Sequence, residues 1–160
     1  LDTGALAAEI EQIPTVWDAT IHRDWPRGLL VEIQPRVPVA AVPVEGGVEL
    51  FDVEGVDLGV APEAPAGVPV ADVPLDEDTA GILDAIISVM GALPPEVLAE
   101  VQTVGATSID DIAFTLADGA EVRWGSAEDN ELKVSVLATL RANVQATVYD
   151  VSTPRTPITQ

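Results

Sequence analysis

Residues 15–33 have the sequence TVWDATIHRDWPRGLLVEI, where the spacing of apolar residues changes from helical to alternating. Val16, Ala19 and Ile21 stand among β-branched and polar neighbours, which is the pattern of a half-buried strand. The following Pro-Arg-Gly, residues 26–28, has the composition of a turn, and the apolar run at residues 29–33 predicts a second strand. The stretch therefore predicts two strands joined by a turn.

A short helix is predicted before these strands. Leu6, Ala7, Ile10 and Ile13 have the spacing of an amphipathic helix, and Pro14 ends it. After the strands, residues 35–43 contain three prolines, which are poorly suited to a central strand. We therefore expect an edge strand or a domain joint there, with the boundary near residue 37.

The rest of the chain predicts hairpins and two helices in an irregular order. The predicted elements are a hairpin over residues 48–58, an exposed Pro-rich connection at 62–74, a helix over 82–93, strands at 109–116 and 120–125 around Asp118-Gly119, a helix opened by Asp129, and a strand at 144–151. Asp76 or Asp78 is expected to cap the first of these helices. The absence of a regular strand-helix-strand repeat predicts an α+β fold of mostly antiparallel strands with two packed helices.

The apolar stripes of the two helices predict part of the core. One helix carries Leu83, Ile87 and Met90 at helical spacing, and the other carries a stripe that is built from Leu132, Val136, Leu137 and Leu140. Trp17, Trp25 and Trp124 lie in or at the ends of predicted strands. We expect them to pack against the sheets, and the alternative is a platform on which a ligand stacks.

Composition restricts the class of partner and leaves the compartment open. The chain has 27 acidic and 7 basic residues and a formal charge of −20, which would repel nucleic acid and oppose docking of the chain on anionic lipid. Apolar residues make up 48% of it, as in a folded protein, and there is no cysteine for disulfides or thiolate sites. No apolar run is long enough to span a membrane, and an initiator Met and a signal peptide are missing, so we expect a portion of a longer protein.

The sequence contains no recognisable catalytic, cofactor or metal motif. His22 is the only histidine, and on a strand it is better explained as a solvated or hydrogen-bonded side chain than as a catalytic base. The acidic cluster at residues 76–78 lacks the spaced ligands and the glycine of a calcium loop. Because acidic residues are abundant, a pair of carboxylates for glycoside hydrolysis stays open at this stage. We predict no enzyme activity, no cofactor and no metal.

Several short motifs occur in one order along the chain. Residues 13–33 contain the pattern IP-x-V-x-x-A followed by R-x-W-P-x-x-L, and residues 36–40 continue it as RVPVA, with Pro35 where an acid is usual. Later motifs are D-x-x-G at 52–55, L-x-D-G-x-x-V-x-x-G at 116–125, Lys133 with Leu137, and D-V-S-x-P at 150–154. In this order the motifs resemble the FtsQ/DivIB family of bacterial cell-division proteins, and the scarcity of lysine suits a high-GC genome.

The resemblance implies a protein of the cell (inner) membrane with a short cytoplasmic tail and one transmembrane helix. Its extracytoplasmic part would consist of a POTRA domain and a β domain. On this basis residues 1–37 are expected to form a partial POTRA domain that lacks its first strand, and residues 38–160 to form the β domain. The resemblance also implies a non-enzymatic scaffold that binds FtsB/DivIC-type and FtsL-type membrane-anchored division proteins.

The C-terminal segment is the predicted partner-binding site. If residues 144–151 form the last strand of a sheet, its unpaired backbone groups can accept a partner strand, whereas an internal strand is the alternative. Tyr149 would then be the aromatic anchor, unless it belongs to the core. The predicted site consists of Tyr149, Asp150, Val151, Ser152, Thr153, Pro154, Arg155, Thr156 and Pro157.

Two other classes of function remain open at this stage. A POTRA-bearing module of protein secretion or outer-membrane assembly would be favoured by tandem repeats, and no internal repeat is evident. An acidic glycan-active enzyme would need convergent carboxylates in a cleft.

Overall fold

The structure is a computed structural model that describes residues 2–73, 75–76, 79–155 and 158–159. Within these residues four helices and eleven strands are formed. In chain order they are α1 (Thr3–Ile10), β1 (Val16–Asp24), β2 (Gly28–Pro35), β3 (Pro38–Val44), β4 (Gly47–Asp52), β5 (Asp57–Ala61), β6 (Val70–Asp72), α2 (Ala80–Ala92), α3 (Pro95–Leu98), β7 (Val101–Ala106), β8 (Ile112–Leu116), β9 (Glu121–Gly125), α4 (Asn130–Asn143), β10 (Val148–Asp150) and β11 (Ile158–Thr159).

The first helix and the first hairpin are confirmed, although the helix ends at Ile10 and not at Pro14 as predicted. Helix α1 begins after Asp2, whose carboxylate accepts hydrogen bonds from the backbone N–H groups of Gly4 and Ala5. Strands β1 and β2 pair antiparallel as a separate two-stranded sheet, and the turn between them contains a cis peptide bond before Pro26. Every residue of β2 is exposed, so little of the rest of the chain packs against this strand.

The other nine strands form one sheet in the order β11-β10-β9-β8-β7-β6-β3-β4-β5. Five of its eight neighbouring pairs are antiparallel, and the parallel pairs are β10 with β9, β3 with β6, and β6 with β7. The predicted α+β class with mostly antiparallel strands is therefore confirmed.

The core lies between this sheet and the helices. Helix α2 contacts β3, β7 and α4, and strand β8 alternates between buried Ile112, Phe114 and Leu116 and half-buried residues that face the other way. The predicted core residues Leu83, Ile87, Met90 and Leu137 are buried, and Leu140 is partly buried against the same cluster. On the face of the sheet opposite the helices, residues of β3, β6, β7, β8 and β9 line an open depression of about 580 Å³.

The edge strand expected at residues 35–43 and the exposed connection expected at 62–74 were wrong predictions, while the alternative of a domain joint near residue 37 stays a prediction. Strand β3 contains Pro38 and Pro43 yet lies inside the sheet, because its ladder with β6 has a single register pair, Ala41 with Val70, and neither proline takes part in it. The segment expected as an exposed connection at residues 62–74 contains β6, whose Ala71 is fully buried.

Strand β7 was not predicted. Its ladder with β8 is irregular between Val101 and Thr103, which breaks the apolar alternation. The strand that was predicted from residue 109 begins instead at Ile112, and Ile109 is exposed.

The helix starts also differ from the predictions. The residue before α2 is Thr79, which makes no side-chain capping bond, while the Asp76 carboxylate accepts hydrogen bonds from the backbone N–H and the hydroxyl of Thr79 at 2.9 and 2.8 Å. Asp76 therefore stabilises the turn before the helix, and Asp78 lies outside the described residues. On α4, Leu132 is exposed and Lys133 is buried, because the buried stripe runs through residues 133 and 137.

Candidate partner-binding edge

The C-terminal strands close one end of the large sheet. Strand β10 pairs in parallel with β9, and its other side pairs with β11 at only two positions, Tyr149 with Thr159 and Asp150 with Ile158. The strand predicted over residues 144–151 is shorter, Val148–Asp150, and is covered by two further residues, so β11 is the outermost strand at this end of the described sheet. At the opposite end of the sheet the edge strand is β5.

Tyr149 is part of the core and not of the surface. Its side chain is 5% exposed, its hydroxyl donates to the Val144 carbonyl oxygen at 2.9 Å, and it accepts from the Ala146 N–H at 3.2 Å. The ring therefore offers almost no area to a partner. The burial of Tyr149 favours the alternative, in which Tyr149 belongs to the core, over the aromatic anchor. Its hydroxyl links the loop before β10 to this strand.

The segment after Tyr149 stays close to β9. Val151 is buried, and its N–H donates to the Arg123 carbonyl oxygen at 2.9 Å. The Asp150 carboxylate accepts from the N–H and the hydroxyl of Ser152 at 3.0 and 2.6 Å. Gly125, at φ 78°, allows Ser152 to pass close to β9, because a Cβ there would lie 2.9 Å from the Ser152 Cβ.

The remaining predicted site residues divide into three groups. Ser152, Thr153 and Arg155 are exposed, and Pro154 is half-buried. Thr156 and Pro157 lie outside the described residues. Binding of a partner by this segment stays a prediction.

Charged side chains lie on the open face beside this edge. Arg123 donates from Nε to Glu121 Oε1 at 2.8 Å, and the hydrogen bond and charge of Glu121 raise the pKa of Arg123. Asp150 is the register partner of Arg123 on the neighbouring strand and adds to this effect. The edge therefore carries both signs of charge within a chain that is otherwise strongly acidic.

A buried lysine contacts the C-terminal end of β9 and the residue that follows it. Lys133 is 2% exposed; its Nζ donates to the Ser126 carbonyl oxygen at 2.7 Å and lies 6.0 Å from the centre of the Trp124 ring. Burial lowers the pKa of Lys133, while the charges of Asp129 and Glu128 act in the opposite direction. Trp124 is fully buried and donates from Nε1 to the Asn130 side chain at 2.9 Å.

A second buried charge joins the two sheets. The Asp52 carboxylate is 1% exposed, and it accepts from Arg36 Nη1 at 2.6 Å and from the N–H groups of Glu54 and Val56 at 3.0 and 2.8 Å. Arg36 also pairs with Glu54 and lies 4.9 Å from the centre of the Trp17 ring. The hydrogen bonds to Glu54 and Asp52 raise the pKa of Arg36. The arginine after β2 and the D-x-x-G motif are therefore one structural unit.

Sequence reasoning assigned no role to these two buried charges. A cation in the i, i+4 stripe of Lys133 and Leu137 is the signal that could have revealed the first one. The expectation that all three tryptophans pack holds for Trp124 alone, since Trp17 and Trp25 are exposed.

Two further titratable groups, His22 and Glu49, lie on strands β1 and β4, away from this edge. His22 is exposed and lies 3.8 Å from Glu32 on the neighbouring strand. Burial, followed by hydrogen bonding to Asp57, raises the pKa of Glu49 on β4, which is the neighbour of the edge strand β5 at the other end of the sheet. Within the part of the chain that the structure describes, no group of three or more His, Cys, Asp or Glu residues could hold a metal ion. None of the described helices is both long and apolar enough to cross a bilayer.

The family described as cell division protein FtsQ/DivIB, C-terminal, matches residues 40–152. This match covers more than half of the chain, so the chain belongs to the FtsQ/DivIB family of cell division proteins. The resemblance in the order of its motifs is thereby confirmed.

Relatives with the name cell division protein FtsQ match nearly the whole chain. The protein of Mycolicibacterium smegmatis is 38% identical in an alignment of 161 positions that covers 98% of this chain and 46% of that protein. The protein of Mycobacterium tuberculosis is 37% identical over 157 residues, with 98% and 49% covered. The chain therefore spans about half the length of these curated relatives. The protein of Streptomyces griseus is 32% identical, with 98% and 80% covered.

One solved structure is similar in part. The major extracytoplasmic domain of the bacterial cell division protein DivIB from Geobacillus stearothermophilus aligns with 70% of this chain and 99% of that chain, at 21% identity and a TM-score of 0.47.

Proposed function

We propose that this chain is the extracytoplasmic part of a non-enzymatic cell-division scaffold, held in the cell membrane by a single transmembrane helix of the whole protein. Its partners are FtsB/DivIC-type and FtsL-type membrane-anchored division proteins. They bind at the C-terminal edge of the large sheet by adding a strand to it. Membership of the FtsQ/DivIB family supports the division role.

The observation that carries the proposed binding mode is the short terminal strand. Strand β11 has two residues and is the outermost strand at this end of the sheet, so that, among the described residues, no strand pairs with the backbone groups of its outer side. An extended partner segment satisfies these groups without a catalytic side chain, and neighbouring side chains choose the partner. Exposed Ser152, Thr153 and Arg155 lie next to this edge and are placed to make that choice.

Buried Tyr149 and Val151 give the edge a rigid base. Both are held to β9 or to the preceding loop by hydrogen bonds, so a partner meets a preformed strand and orders little of the scaffold on binding. The proposed contact surface is consequently the backbone of residues 158–159 and the exposed side chains of residues 152–155, with Tyr149 as its support.

Site-specific photo-crosslinking tests this assignment. A photoreactive amino acid replaces Thr159 at the proposed edge, Thr153 beside it, or Val60 on β5, which is the exposed edge strand at the other end of the same sheet. With the extracytoplasmic region of an FtsB/DivIC-type partner, Thr159 and Thr153 should give crosslinks and Val60 should give none. Crosslinks from Val60 alone would move the binding site to the other edge.

Removal of residues 155–160 provides a second test. The deletion removes β11 and its two-position ladder with β10, but it leaves the bond of the Tyr149 hydroxyl to Val144 and the bond of the Val151 N–H to Arg123. The thermal unfolding midpoint should therefore change little while partner binding weakens. Unchanged partner binding by a folded deletion variant would remove this edge from consideration.

A further inference from the structure

The side chain of Trp25 is almost fully exposed to solvent. It is 91% exposed in the turn between β1 and β2, and every residue from 22 to 30 is exposed with it. A tryptophan ring that becomes buried removes about 150–250 Å² from water, so an exposed ring favours any contact that covers it. Leu29 and Leu30, next to the turn, are also exposed and extend the apolar area.

The turn lies at the far end of the hairpin from the large sheet. The hairpin joins that sheet at its base, where the Arg36 N–H donates to the Thr15 carbonyl oxygen at 2.9 Å and Arg36 pairs with Asp52. From the base, β2 runs back for eight residues to the turn, a length of about 25 Å at roughly 3.3 Å per residue. The turn is therefore the part of the hairpin most distant from this junction.

The local charge at the turn differs from that of the chain. Residues 21–30 contain two arginines, Arg23 and Arg27, and one aspartate, Asp24, which leaves +1, whereas the whole chain has −20. Charges separated by more than about 8 Å are largely screened at physiological ionic strength. An anionic surface that touches only the turn therefore interacts mainly with the two arginines of the turn. The repulsion expected from the net charge of the whole chain is largely screened at that distance.

This combination of side chains matches the chemistry of a lipid bilayer surface. Tryptophan is enriched at the level of the headgroups, where its ring is buried and its N–H stays wet. Arginine buries its apolar stem there and keeps its guanidinium among the phosphates. A turn in which every residue is exposed suits a fluid surface, which adapts to it, better than a protein partner, which would need a matching pocket.

We propose that the β1–β2 turn binds the surface of a bilayer that contains anionic lipids, with the Trp25 ring in the headgroup region and Arg27 at the lipid phosphates. This contact would fix the orientation of the hairpin relative to the membrane. The inference goes beyond the division role, and its test uses no division partner. The proposed division role and the proposed bilayer contact can therefore fail independently of each other.

The test measures quenching of Trp25 by brominated lipids. The chain is attached to vesicles of phosphatidylethanolamine and phosphatidylglycerol through a terminal histidine tag and nickel-chelating lipid. A Gly/Ser linker of about 30 residues, up to about 100 Å long when extended, lets any face reach the bilayer. Attachment raises the effective concentration, so a weak contact becomes measurable. Trp17→Phe is the starting variant, because it leaves Trp25 and the fully buried Trp124 as the emitters.

Brominated acyl chains should quench this variant, and the further change Trp25→Phe should abolish the quenching. Arg27→Gln should lower the contact equilibrium constant by about fivefold on anionic vesicles and have little effect on uncharged ones. Val37→Ser is the matched control, since Val37 is exposed at the base of the hairpin, and it should leave quenching unchanged. An unaltered Trp124 emission confirms folding.

Two results would overturn the proposal. One is quenching of Trp25 that is no stronger than that of Trp124. The other is Trp25 that stays unquenched on vesicles but changes its emission when the extracytoplasmic region of a division protein is added, because the occupant of the turn is then a protein.

Discussion

Tyr149 shows at the scale of one residue why a family motif does not define a contact surface. It precedes the D-V-S-x-P ending and could be predicted from sequence either as an anchor or as core. The structure buries it and satisfies its hydroxyl within the chain. A lone aromatic residue in a short strand has no periodic pattern around it, so its burial could not be predicted from the sequence.

Two substitutions at Tyr149 separate its packing from its hydroxyl group. Tyr149→Ala should lower the free energy of unfolding by about 3–5 kcal/mol, as expected for a large buried ring. Tyr149→Phe keeps the ring and should cost about 0.5–1.5 kcal/mol, the net value of a hydrogen bond. Urea unfolding measures both changes. Equal and small losses for the two variants would show that the ring is not part of the core.

Lys133 gives a prediction about pH. Burial lowers its pKa in the folded chain below the ordinary 10.5, so in the interval between the two pKa values the unfolded chain binds more protons. The contribution of Lys133 to stability therefore rises with pH in this interval, by at most about 1.4 kcal/mol per pH unit, and is constant below it.

Lys133→Met removes the titrating group and approximately keeps the side-chain volume. The difference in free energy of unfolding, unmodified chain minus variant, should shift in favour of the unmodified chain as pH is raised from 7 towards 10.5. Tyr149 is present in both proteins, and its titration cancels in the difference. A difference that falls over this range would contradict the assignment.

At the scale of elements, periodicity predicted most of the helices and hairpins. Helices α2 and α4 and the pairs β1–β2, β4–β5 and β8–β9 follow the helical or alternating spacing of their apolar residues. Strands β6 and β11 have three and two residues, which is too short for any period to emerge, and their strand conformation depends on neighbours distant in the chain. The candidate edge includes β11, so its geometry could not be predicted from sequence.

Helix α4 offers a matched test of which stripe faces the core. Leu137→Ala should lower the free energy of unfolding by about 2–5 kcal/mol because Leu137 is buried. Leu132→Ala, on the same helix but 44% exposed, should change it by less than about 0.5 kcal/mol. Thermal or urea unfolding of the two variants distinguishes the faces, and the reverse order of losses would show that the helix is rotated.

At the scale of the whole molecule, the large sheet has two free ends and they differ. The β5 end has five residues and exposed Val60, while the β11 end has two residues on a buried base. The boundary at residue 37, with a partial POTRA domain before it, stays a prediction. Arg36 and Asp52 link the two sheets across that position, so the hairpin and the sheet are coupled there by a buried ion pair.

Hydrogen exchange in the presence of a partner compares the two ends in one experiment. The chain is mixed with the extracytoplasmic region of an FtsB/DivIC-type protein, and backbone exchange is followed by mass spectrometry. Slower exchange is expected at residues 148–150 and 158–159, with no change at residues 57–61. Protection at residues 57–61 without protection at the C-terminal strands would contradict the claim that partners bind at the C-terminal edge.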